Sequence, residues 1–124
     1  WESLAACDLE KIYPWGNEWP PKYGNFGNQE VFPRTWELDG YSENFAVTCP
    51  VEKSGKNEWN IFGMAGNVWE WITEEKNGKR GLVGGAWTEF QRPMLVLSND
   101  FAFAPPDQPY DNVGIRVILA KKAE

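Results

Sequence analysis

The chain has 124 residues, a net charge of −6 and a heavy aromatic load of eight tryptophans, seven phenylalanines and four tyrosines. That length suits one domain rather than two, a hydrophobic content of 42% excludes a disordered chain, and the acidic balance argues against nucleic acid, whose phosphates need a basic surface. With no histidine anywhere, Ser-His-Asp triads, Cys-His dyads, His-based zinc sites and the iron facial triad are all excluded.

Residues 1–12 carry a helical pattern, with Trp1, Leu4, Ala5, Leu9 and Ile12 on one face, and read as the end of a helix that starts upstream. Tyr13-Pro14-Trp15-Gly16-Asn17 breaks it, because proline and glycine flank a large aromatic in a tight turn. Residues 16–46 form one long irregular excursion with turn residues every few positions, tethered by its own aromatics or by an ion. Val47 to Val51 is predicted as a short strand interrupted by Pro50. Cys7 and Cys49 stand 42 residues apart with no CxxC spacing; one disulfide and two buried thiols are both open.

The densest stretch follows a turn at Asn57–Asn60. In Ile61-Phe62-Gly63-Met64-Ala65-Gly66-Asn67-Val68-Trp69-Glu70-Trp71, two glycines permit backbone conformations closed to other residues, and strand alternation puts both indoles on one face with Glu70 opposite. Oxygens gathered on a bent backbone suit a hard cation; a tight turn entering a buried aromatic strand explains the same residues. Asn77-Gly78 then signals a hairpin, with residues 81–87 as the returning strand and its glycines marking close backbone approach. Met94 to Leu97 is a short apolar run, and residues 104–109 are an extended loop. Val113 to Leu119 is the strongest strand pattern, with Arg116 on the face opposite Ile115 and Val117, where it needs a carboxylate or carbonyl acceptor. No apolar run approaches the ~20 residues of a membrane span. A first residue of Trp rather than Met reads as a trimmed or excised chain.

Three places could carry chemistry. The first is the glycine-rich motif around Glu70. The second pairs Gly24-Asn25-Phe26 with Leu38-Asp39-Gly40-Tyr41, where Asn25, Asp39 and nearby carbonyls could supply a shell of ~6–8 oxygens; Asn and Asp beside glycine also make ordinary turns. The third is Glu89 near Arg92, followed by Asp100, either an acid–base group in a cleft or a solvated carboxylate beside an arginine.

Taken in order, Tyr13-Pro14-Trp15-Gly16-Asn17, Gly24-Asn25-Phe26, Asp39-Gly40-Tyr41, Thr48-Cys49-Pro50-Val51, the run Asn60 to Trp71, Gly84-Gly85-Ala86-Trp87 and Gly114-Ile115-Arg116 resemble the formylglycine-generating enzyme family, or sulfatase-modifying factors. The likeness runs from Trp1 to about Leu119, and Gly66-Asn67-Val68-Trp69-Glu70-Trp71 is its most specific element. Trp1-Glu2 is similar to the end of a family motif that lies near mid-domain, so residues 1–124 read as a single, partial domain. The resemblance implies an α+β, C-type-lectin-like fold, loop-rich with little regular secondary structure, and structural calcium. One calcium site would use the Asn25 and Asp39 side chains with the Phe26 and Tyr41 carbonyls. A second would use Glu70 with backbone oxygens of Gly63, Gly66 and Val68.

The same resemblance implies oxidation of a sulfatase cysteine to formylglycine by a copper-binding cysteine pair shortly after the Gly-Gly-Ala-Trp segment. Glu89 and Met94 stand at those positions, and neither can form a thiolate, so copper is not expected. The expectation is therefore a non-catalytic module like those fused to bacterial kinases, outside the cytoplasm, binding a peptide, protein or carbohydrate. The ligand face would comprise Trp87, Glu89, Phe90 and Arg92. The alternative is an enzyme whose catalytic groups lie in an absent N-terminal half. A half domain would expose apolar surface, favouring self-association or a covering segment; neither nucleic acid nor membrane is an expected partner.

Overall fold

The computed structural model describes residues 1–19, 21–27, 45, 47–89, 95–97 and 102–122. Helix α1 spans only Glu2–Ala6, shorter than the periodicity predicts. Cys7 and Asp8 both turn left-handed at φ 54°, and both of their N–H groups return to the Ser3 carbonyl, which closes the helix. The expected apolar face therefore ends early, and Leu9 and Ile12 are exposed. Residues 47–50 form no strand, and the chain instead makes a 3-10 turn over Val51–Lys53 directly after Pro50, which has no N–H for a ladder.

The described residues hold one mixed sheet built on the predicted hairpin. Strand β1 (Trp69–Lys76) runs antiparallel to β2 (Lys79–Val83), with Asn77 and Gly78 at φ 53° and 74° in the turn between them. β3 (Ala102–Ala104) pairs antiparallel with β2, and β4 (Val113–Gly114) lies parallel to β1, giving the order β3-β2-β1-β4. β2 ends earlier than predicted because Gly84 and Gly85 take φ of 94° and 74°, off the strand path. β4 is likewise shorter than its pattern: after Gly114 the chain leaves the ladder, and Ile115, Val117, Ile118 and Leu119 are exposed.

Two aromatic clusters do the packing that long helices would do elsewhere. Trp15, Phe26, Ala65 and Leu95 form one, flanked by Tyr13, Trp19 and Tyr23, with Tyr13 stacked on Trp15 at 4.7 Å. Trp69, Leu82, Ala86 and Ala104 form the other, on one face of the sheet, with Trp71 and Tyr110 against it. Trp69 and Trp71 thus share a face, as strand alternation requires. Together these elements make a loop-rich α+β domain, and no helix among the described residues is long and apolar enough to cross a membrane.

Candidate functional site

The Gly66–Trp71 segment links both clusters, and its backbone explains its residues. Gly66 and Asn67 both sit at φ 67°. A Cβ on Gly66 would lie 2.3 Å from the Asn25 carbonyl oxygen, so this approach of two backbones admits only glycine. Across it the Asn67 N–H donates to the Asn25 carbonyl at 2.7 Å. The Asn67 side chain clamps the Cys49 backbone in both directions: Oδ1 accepts from the Cys49 N–H at 2.8 Å and Nδ2 donates to the Cys49 carbonyl at 3.2 Å. That clamp is invisible in the sequence, because its halves lie 18 residues apart.

Asn25 is fully buried. Its Nδ2 donates to the Val47 carbonyl at 2.7 Å and to Asn67 Oδ1 at 3.2 Å, whereas its Oδ1 is buried and accepts no hydrogen bond among the described residues. An unpaired amide oxygen in the interior costs free energy unless something electropositive faces it, so this atom fits a cation ligand. Of the residues expected at the first calcium site, Asn25 and Phe26 are buried, and Asp39 and Tyr41 lie outside the described residues. Among the described residues no three Asp, Glu or Cys side chains gather, so a cation there would depend largely on amide and carbonyl oxygens.

The second expected site is arranged differently. Glu70 leaves the sheet on the face away from the indoles, is 5% exposed, and meets a cation supplied by the chain itself. Arg116 Nε donates to Oε2 at 2.8 Å and Oε1 at 3.1 Å, and Nη2 donates to Oε1 at 2.7 Å. Nη2 also reaches the carbonyls of Phe62 at 2.8 Å and Gly63 at 3.1 Å, while Trp1 Nε1 donates to Oε2 at 2.6 Å. Arg116 therefore has both a carboxylate and backbone carbonyls as acceptors. Gly63 and Glu70, two of the expected ligands, both accept from one guanidinium, and as they stand they do not fit a calcium ion; Gly66 and Val68 lie between them in the chain.

Glu89 is anchored rather than free. Its Oε1 accepts from Trp69 Nε1 at 3.0 Å and from the Thr88 hydroxyl at 3.2 Å, and Asn112 Nδ2 donates to that hydroxyl at 3.1 Å. Its backbone carbonyl accepts from the Gly27 N–H at 2.8 Å, tying this turn to the Asn25–Phe26 segment. Trp87 is half-buried beside it, and its N–H donates to the Asn67 carbonyl at 2.9 Å. Phe90, Arg92, Met94 and Asp100 lie outside the described residues. A cleft of about 540 Å³ opens elsewhere, between α1, β1 and the C-terminal segment, lined by Trp1, Leu4, Trp71, Val83 and Ile118. Neither Trp87 nor Glu89 lines it.

Cys7 and Cys49 are both buried and are not joined in a disulfide. Cys7 Sγ donates to Glu58 Oε2 at 3.5 Å, the same oxygen that accepts from Lys11 at 2.7 Å. The Lys11 hydrogen bond holds the Glu58 carboxyl below the usual carboxylate range. Burial, and then the nearby Glu58 and Cys7, push the Tyr23 phenol well above its ordinary range.

The model of the sulfatase-modifying factor enzyme 1-like domain matches residues 1–121. The chain belongs to that family. Among relatives of this sulfatase-modifying-factor domain, the inactive C-alpha-formylglycine-generating enzyme 2 of Bos taurus is 28% identical over 130 residues, covering 94% of this chain and 40% of the relative. Its Mus musculus counterpart is 30% identical, covering 94% and 39%. The formylglycine-generating enzyme of Thermomonospora curvata is 39% identical over 77 residues, covering 60% of this chain and 24% of the relative. The chain thus spans about two-fifths or less of the length of each.

Proposed function

We propose that this domain is a non-catalytic ligand- or protein-binding module on a calcium-stabilised scaffold of the C-type-lectin-like kind. The observation that carries the reading is Glu89. The position at which the family resemblance expects a reactive thiol holds a carboxylate whose Oε1 is engaged by a buried indole and a threonine. A carboxylate so held does not supply the soft thiolate ligation that copper(I) requires, so the residues present do not fit copper. Matches that cover 94% of the chain come from relatives named as inactive, whereas the Thermomonospora enzyme match covers 60%, which supports the same reading.

Calcium would be held by Asn25 and the Phe26 carbonyl, with Asp39 and Tyr41 completing the shell, and it would tether the irregular excursion of residues 16–46. The buried, unpaired Asn25 Oδ1 supports this. The ligand face would be the surface around Trp87, Glu89, Phe90 and Arg92, where aromatic groups and an arginine suit a peptide or carbohydrate. The exposed apolar residues 115–119 favour self-association or cover by another segment.

A peptide carrying the sulfatase Cys-x-Pro-x-Arg sequence, incubated with the protein, copper and oxygen, tests the proposal by mass spectrometry. The expected result is unchanged cysteine. Formylglycine in the peptide would instead establish the enzymatic reading.

A further inference from the structure

We infer that Arg116 is the resident cation of the Gly63–Glu70 oxygen cluster, and that this position takes up no divalent metal. The Glu70 carboxylate has both oxygens occupied by N–H donors, with Trp1 Nε1 on Oε2 at 2.6 Å and the Arg116 fork across both atoms. The Gly63 carbonyl, an expected metal ligand, accepts from Arg116 Nη2 at 3.1 Å, and the Phe62 carbonyl does so at 2.8 Å. Calcium would need to turn these same lone pairs towards itself while sitting against a permanently charged guanidinium.

The charges already cancel, one positive against one negative, between side chains only 23% and 7% exposed. Local geometry also fits the arginine. Gly63 has φ +67°, where any side chain would be strained, and a Cβ there would be tight against Val51 Cγ2 at 3.0 Å and in ordinary contact with Arg116 Nη2 at 3.5 Å. Gly114 pairs with Glu70 in the parallel β1–β4 register, and two residues on, past the end of that ladder, Arg116 meets the carboxylate. A guanidinium cannot be removed by chelation or by mild acid, so the motif keeps its shape at any calcium concentration.

The test is a calcium titration of wild type and Glu70→Gln by calorimetry, with thermal melting of both. The inference predicts the same number of calcium ions bound by each protein, together with a melting temperature several degrees lower in the variant. Loss of one calcium per chain in Glu70→Gln would overturn it. Should that variant not fold, NMR of the wild-type Arg116 Nε–H decides. A signal unmoved from calcium-free to calcium-saturated protein agrees; a shift or broadening on saturation overturns the inference. A wild type that binds no calcium would refute the proposal for Asn25 and leave the Arg116 assignment standing.

Discussion

Replacing Glu89 by alanine separates a structural carboxylate from a reactive one. In the wild type, Glu89 Oε1 is the acceptor for the indole N–H of Trp69, which is 6% exposed within the cluster of Leu82, Ala86 and Ala104. Truncation leaves that donor buried without a partner, at a cost of about 1–3 kcal/mol. The Thr88 hydroxyl also loses an acceptor, but it is only half-buried and can turn its proton to water, which adds little. About 2 kcal/mol is the expected total, and for a domain of this size that lowers the melting temperature by roughly 8 °C. Glu89→Gln keeps an acceptor oxygen and loses only the charge assistance, so it should cost about half as much. Tryptophan fluorescence during thermal and urea unfolding reads both variants. An alanine variant that melts within about 1 °C of wild type, or higher, would refute the anchoring role, since functional groups held for chemistry are commonly relieved by removal.

Other outcomes follow from the same contacts. Gly66→Ala drives a Cβ to 2.3 Å from a backbone oxygen and should cost at least ~3 kcal/mol, whereas Gly78→Ala, at φ 74° with nothing within 4 Å, should cost about 1 kcal/mol; equal urea midpoints would contradict the close approach. Because the folded Tyr23 phenol is held above its unfolded value, its contribution is intact below about pH 10 and stability falls as pH rises through that point. Absorbance titration should show Tyr23 resisting ionisation until unfolding, and Tyr23→Phe should flatten the alkaline loss; an unaltered alkaline profile would count against it. Chelation should lower the melting temperature, by about 2.7 kcal/mol of lost linkage where calcium stood at a hundredfold excess over Kd. Asn25→Ala or Asp39→Ala should remove much of that response; an unchanged melt with no metal by elemental analysis would end the calcium proposal.

Local signals in the sequence were read correctly where the structure is local. Asn77-Gly78 specified its hairpin through left-handed dihedrals, and strand alternation placed Trp69 and Trp71 on one face of β1 with Glu70 opposite. Asn57, within a predicted turn, accepts from the Trp59 and Ile61 N–H groups, each at 3.0 Å. Long-range pairing was not legible. Nothing in the pattern says that the cation facing Glu70 comes from residue 116, that Trp1 joins it, or that Asn67 clamps Cys49, because these contacts join segments 18 to 69 residues apart. Periodicity also overextended α1 and β4: two left-handed residues stop the helix, and the apolar run after Gly114 lacks a neighbouring strand among the described residues.

The central claim is that the place of a metal-binding thiol is held by a hydrogen-bonded carboxylate. Copper(I) uptake, measured by competition with a chromogenic chelator on wild type and Glu89→Ala, tests it most directly. The account predicts identical uptake curves, any binding by Cys7 or Cys49 being common to both. One equivalent of tightly held copper in the wild type that disappears in Glu89→Ala would contradict it.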